Sequence, residues 1–193
     1  MSSEVAVVIL AGGEGRRIGG GKPLRTFAGE RLIDRAVNLA RSWSDRVAVA
    51  VRDRAQVGSV PVDLISDQDV PGPLGGLISG LKFAARERRE FLLAIPADMP
   101  FLPPDLLDLL GQAIGDLRCA LAASGGQLHP VCGLWRADAI DRAASYTRAG
   151  RRSLKGFAEL VGFVAVEWPS EPVDPFFNIN TSDDLAEAAR RNA

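Results

Sequence analysis

The chain has 193 residues, 47% of them hydrophobic and 24% charged, with a formal net charge of −1. This is the composition of a globular domain with a sizeable core, and the near-zero charge gives no general attraction for nucleic acid or anionic lipid. Any anion site must be a local cluster, and no apolar run approaches the roughly 20 residues that span a bilayer.

In chain order, VAVVILA (5–11) is a continuous apolar run closed by Gly12 and Gly13. That is the pattern of a strand buried on both faces. Leu32, Ile33, Ala36, Val37, Leu39 and Ala40 recur at helical spacing and predict a helix over 31–42. RVAVAV (46–51) and VDLIS (62–66) read as strands. Pro71-Gly72-Pro73 breaks the chain before a helix over 74–89, and EFLLAIPAD (90–98) is the next strand. Pro103-Pro104 opens a helix over 104–114, a usual place for proline. CALAAS (119–124) and PVCGLW (130–135) are short strands, followed by helices over 136–147 and 151–160 and a strand over 161–168. Thr181 caps a last helix, with Asp184 three residues on as a capping-box partner.

Strands alternating with helices predict an α/β fold. The expectation is one domain over 1–193, in three layers: a mainly parallel sheet with helices on both faces. Ligands in such folds bind beyond the carboxyl ends of the strands. Those ends carry 11–22, 67–73 and 96–100. Cys119 and Cys132 lie in apolar segments without metal-ligand spacing and are expected to be buried free thiols in a reducing compartment. MSSEVAVVIL has no basic n-region and too short an apolar run for a signal peptide. A cytoplasmic monomer, without membrane or nucleic-acid partners, is expected.

The stretch LAGGEGRRIGGGKPL (10–24) holds six glycines, and residues 16–25 hold Arg16, Arg17, Lys22 and Arg25. The P-loop pattern needs glycine at 16 and a hydroxyl at 23, where the chain has Arg16 and Pro23. The dinucleotide pattern fits Gly13 and Gly15 but meets Ile18, and Gly19, Gly20 and Gly21 oppose a helix start. What remains is a long loop of bare N–H groups that can cradle phosphate oxygens, with arginine and lysine to neutralise them. Asp98, in IPADMPF, is a carboxylate at a strand end fixed between Pro96 and Pro100, suited to hold Mg²⁺. Asp67 and Asp69 stand at another strand end, where either can meet a ribose hydroxyl, a base edge or the metal. In FFNINTSDDL (176–185), Asn178 and Asn180 alternate and so face the same way in an extended segment. Such paired amides suit a second substrate. His129 is the only histidine; it reads as a packing or hydrogen-bonding residue, with no Ser/His/Asp arrangement for a nucleophile.

Together these segments resemble the small nucleotidyltransferases of the MobA-like family. LAGGEGRRIGGGKPL is similar to their L-A-G-G-x-x-x-R-M-G-x-x-K signature, DVPGPLGGLISGL to their G-P-L-x-G segment, and ADMPF to their metal-binding aspartate segment. HPVCGLW and FFNINTSDDL resemble the H-P-V and N-[IV]-N-T-P-x-[DE]-L segments of the molybdenum cofactor guanylyltransferases. The resemblance runs over about 5–190. It implies a Rossmann-like nucleotidyltransferase fold and transfer of GMP from GTP to molybdopterin that already carries molybdenum, with Mg²⁺ as cofactor. It also implies transient contact with the proteins that deliver the pterin and receive the product.

Carried over by motif, Leu10, Ala11, Gly12, Gly13, Lys22, Asp67 and Asp98 would bind GTP. Asp98 would also bind the metal. Lys22 and Arg17 would serve catalysis with Asp98, and Asn178 and Asn180 would lie by the molybdopterin. The chain departs from the family in reading GGGK where members often read G-G-x-D-K, in a shorter loop before PGPLGG, and in NINTS for NINTP. A cytidylyltransferase acting on the same pterin, a nucleotidyltransferase for another small phosphate, and a non-catalytic GTP-binding adaptor are the alternative readings.

Overall fold

The computed structural model describes residues 4–11, 22–66 and 70–191. Its centre is a seven-stranded sheet. In chain order the described elements are β1 (Val5–Leu10), the short strands β2 (Thr26–Phe27) and β3 (Glu30–Arg31), α1 (Leu32–Trp43), β4 (Val47–Val51), β5 (Asp63–Ser66) and α2 (Pro73–Arg86). There follow β6 (Phe91–Pro96), α3 (Leu106–Ala113), β7 (Cys119–Ser124), β8 (Gln127–Arg136), α4 (Ile140–Arg148), α5 (Leu154–Val161), β9 (Phe163–Trp168) and α6 (Ser182–Arg191).

The large sheet runs β5-β4-β1-β6-β8-β7-β9. The pairings are parallel except where β8 meets β6 and β7. The expected mainly parallel sheet is therefore present, with β8 as its one reversed strand.

The apolar runs explain the layers. A strand's side chains alternate between faces. Val5, Val7 and Ile9 enter the core under α1 and α3, whereas Ala6 and Val8 enter the core under α2, α4 and α5. Gly80 lets α2 lie close on the sheet. A Cβ there would come within 2.7 Å of Val8 Cγ1 and 2.9 Å of Leu92 Cδ2. Both cysteines are buried and free, and burial pushes each thiol well above its ordinary pKa.

Some expected boundaries move. The helix after Pro71-Gly72-Pro73 stops at Arg86 rather than 89. The helix after Pro103-Pro104 starts at Leu106, with Asp105 at its N-cap. The strand expected at 130–135 starts at Gln127, and its pairing is interrupted. Leu121 pairs with Gly133, but Ala122 pairs with His129. Pro130, Val131 and Cys132 bulge out of the ladder between them, a position that suits proline.

Candidate active site

The strand ends of the parallel half meet at one place. Ala11 N–H donates to Ala50 O at 3.1 Å, and Ala97 N–H donates to Leu10 O at 3.2 Å. The main chain of Leu10 and Ala11 therefore runs between the ends of β4 and β6, and Asp98 follows Ala97 directly.

Lys22 opens a short 3₁₀ turn, Lys22–Leu24. Its side chain is 12% exposed, which rules out an ordinary solvated surface lysine. Its Nζ forms an ion pair with Asp98 Oδ2 and donates to Asn178 Oδ1 at 3.1 Å and Asn180 Oδ1 at 2.8 Å. An ammonium has three protons and no lone pair. Each proton here has one acceptor, and both amides must turn their oxygens to the lysine and their NH₂ groups away.

The 178–180 segment is fixed from both sides. Ile179 N–H donates to Asp98 O at 3.0 Å. Asp184 Oδ2 accepts from Asn180 N–H and Thr181 N–H, each at 2.8 Å, while Thr181 Oγ1 accepts from Asp184 N–H at 3.1 Å. That is the expected capping box at the start of α6. Burial pushes the Asp184 carboxyl upward, but hydrogen bonds from Asn180 and Thr181 and the charge of Lys22 outweigh it and hold the group below its ordinary value.

Asp98 Oδ1 is buried and has no hydrogen-bond partner among the described residues. A buried carboxylate oxygen left so is costly. It fits a divalent cation such as Mg²⁺, which binds through one or two carboxylates and completes its shell with phosphates and water. Among the described residues no group of three or more His, Cys, Asp or Glu gathers around a common point.

Lys22, Asp98, Asn178 and Asn180, expected at the site from distant parts of the sequence, thus form one cluster, with Leu10 and Ala11 beside it. Gly12, Gly13, Arg17 and Asp67, together with Arg16 and Asp69, lie outside the described residues.

His129 is buried, as a packing residue should be. It does have partners that the sequence did not disclose. Its Nε2 lies 2.8 Å from Ser124 Oγ, which donates to Asp174 Oδ1 at 2.9 Å. The carboxylate can only accept, so the serine proton is committed to Asp174 and the serine oxygen accepts from His129 Nε2–H. The chain runs Asp–Ser–His. The histidine cannot take the serine proton, so this is not a nucleophilic triad. Ser124 and Asp174 are 50 residues apart, and neither carries a sequence signal beyond its neighbouring turn residues.

The model of the MobA-like NTP transferase domain matches residues 7–161. The chain belongs to this family. A molybdenum cofactor guanylyltransferase of Rhodopseudomonas palustris (strain BisB5) is 41% identical over 192 residues, covering 95% of this chain and 91% of the relative. One from Nitrobacter hamburgensis is 38% identical, covering 95% and 92%. Among solved structures, molybdopterin-guanine dinucleotide biosynthesis protein A from Archaeoglobus fulgidus superposes with a TM-score of 0.78 at 24% identity, covering 97% of this chain and 98% of that one. That likeness shows the family's Rossmann-like nucleotidyltransferase fold. No helix among the described residues is long and apolar enough to cross a membrane.

Proposed function

We propose that the chain transfers GMP from GTP to molybdenum-carrying molybdopterin, forming the guanine dinucleotide form of the cofactor. An oxygen of the acceptor's terminal phosphate attacks the α-phosphorus of GTP. The new P–O bond forms as the bond to the bridging oxygen breaks, and pyrophosphate leaves with that electron pair. Such a reaction needs no protein nucleophile. Its demands are alignment and charge stabilisation.

The observation that carries this reading is the position of Lys22, held at once by Asp98 on one side and by Asn178 and Asn180 on the other. A single cation joins the carboxylate suited to the nucleotide's metal and the amides suited to a second substrate. In use, the main chain of 10–13 and Asp67 would contact the nucleotide, and Lys22 and Arg17 would balance charge on the leaving pyrophosphate. Asp98 would hold Mg²⁺, which when bound draws charge from the phosphates. Asn178 and Asn180 would offer their NH₂ groups to the pterin. Work in the cytoplasm as a monomer, with transient contacts to the proteins that deliver the pterin and take the product, belongs to the same proposal.

The test is pyrophosphate release with Mg²⁺, molybdenum-loaded molybdopterin and each of GTP, CTP, ATP and UTP. Release from GTP alone is expected. Release from CTP instead would change the base and keep the chemistry. GTP binding without release would leave a binding protein.

A further inference from the structure

The segment that presents Asn178 and Asn180 belongs to no strand, yet its position has to be accurate. Its outer end is tied to the sheet by side chains. Asp174 Oδ1 accepts both Ser124 O–H and Phe176 N–H, each at 2.9 Å. Phe176 is stacked on His129, with ring centroids 4.7 Å apart and planes 20° apart, and meets Trp168 edge-on at 5.4 Å. Phe176 is 2% exposed and Ser124 is equally enclosed. His129 reaches this spot through the register of the β7–β8 hairpin, in which Ser124 pairs with Gln127 and Ala122 with His129, so that the histidine is the diagonal neighbour of Ser124 on one face. Beyond it, in the Pro130–Cys132 bulge, Cys132 Sγ lies 3.5 Å from Met99 Sδ, the residue after Asp98.

We propose that Ser124, His129 and Asp174 form a positioning unit for the acceptor side of the site, fixing where Asn178 and Asn180 stand relative to Lys22. Asp174 can hold the Phe176 N–H in one direction only if its carboxylate is itself oriented. Ser124 O–H orients it, and the serine is oriented in turn by the His129 N–H. With the outer end set there and Ile179 N–H bonded to Asp98 O at 3.0 Å, the two asparagines between and beyond these anchors have little freedom. None of the three residues touches Lys22 or Asp98, so their influence passes through the segment. The acceptor assignment of Asn178 and Asn180 rests on the function proposed above; the positioning itself does not.

Two readouts test this. The first is the side-chain NH₂ resonances of Asn178 and Asn180 in a ¹H–¹⁵N spectrum of the free protein. They should shift or broaden in Ser124→Ala and stay fixed in Ser145→Ala, a control at an exposed site on α4. Unchanged resonances in folded Ser124→Ala would overturn the proposal. The second is kinetic. Ser124→Ala should lower kcat/KM for the acceptor by about tenfold, the scale of a small misplacement at a reacting centre, with KM for GTP within about twofold. The loss should vanish in an Asn178→Ala/Asn180→Ala background, since a residue acting through a segment has no further effect once its end is removed. An equal loss in both backgrounds would mean a general structural role.

His129→Gln and His129→Leu serve if Ser124→Ala does not fold. Both remove the ring, but only glutamine keeps an N–H donor for Ser124. Glutamine should retain at least about fivefold more acceptor kcat/KM than leucine, and equality would refute the donor chain. Shifted resonances with no turnover on any nucleotide would support the positioning unit and count against the proposed reaction.

Discussion

The two halves of the sheet hold their shares of the site by different means. In the parallel half, β5-β4-β1-β6, the main chain does it. Ala11 and Ala97 continue the hydrogen-bond ladder past the strand ends, so Leu10, Ala11 and Asp98 are placed by pairing among β4, β1 and β6, which are buried along all of their length but Leu10. In the other half, β8 runs backwards and bulges, and the site residues sit on an irregular segment held by Asp174, Ser124, Phe176 and Asp184. A ladder survives most side-chain changes; a segment held by side chains depends on each of them. Lys22 and Asp98 join the halves, and substitutions there should have the largest effects.

Asp98→Ala should lower turnover by at least about 10³-fold, the upper end for removing one preorganised charge-stabilising group. It takes away the carboxylate suited to the metal and leaves Lys22 without its counter-charge. Pyrophosphate release measured against Mg²⁺ concentration checks this. Substantial activity in the variant would move the metal away from Asp98. Lys22→Ala should cost roughly 10²–10³ in rate. Because Lys22 also holds both amides, KM for the acceptor should rise as well. An unchanged acceptor KM would confine the lysine to the nucleotide half and break the idea that it couples the two.

Gly80→Ala tests the parallel half alone. The added methyl has no room against Val8 and Leu92, and overpacking of this kind costs about 1–3 kcal/mol. Thermal melts should show the loss, while the folded variant keeps its kcat. A large fall in kcat at low temperature would mean that the β1 strand end is placed less firmly than its ladder suggests.

How much of this was legible in the sequence follows the same division. Val5–Leu10, Val47–Val51 and Phe91–Pro96 announce themselves because strands buried on both faces are continuous apolar runs, and their ends locate Asp98. Asn178 and Asn180 could be read as a pair from their alternation, and Thr181 with Asp184 from helix-cap chemistry. The β2–β3 hairpin was not legible. Its turn, Ala28-Gly29, has positive φ at both residues, 50° and 83°, and alanine replaces the asparagine or aspartate that marks such a turn. The Asp174–Ser124–His129 chain was hidden for a different reason. Its partners come from two strands and a loop; the β7–β8 hairpin register sets the histidine beside Ser124, but Asp174 arrives from 50 residues away.

The smallest effect concerns His129 and distinguishes the halves by pH. Burial lowers its pKa below the ordinary 6.5, and the charges of Asp174 and Glu167 offset this only in part. The unfolded chain therefore takes up a proton more readily than the folded one, and stability rises with pH across that window. The contribution is complete above pH 6.5 and is lost as pH falls through the lowered value. Asp184 is also held low, but from an ordinary value of 3.8, so its loss comes at distinctly lower pH. Melts between pH 7.5 and 5 should show wild type losing stability and His129→Gln losing less. Equal slopes would assign the acid sensitivity to other groups. Amide exchange adds the location: protonation places a charge in the enclosed space that His129 shares with Ser124 and Phe176, where burial disfavours it, so 174–180 should lose protection before β1 does. Simultaneous loss would mean that the two halves unfold as one and differ in how they are placed, not in how they come apart.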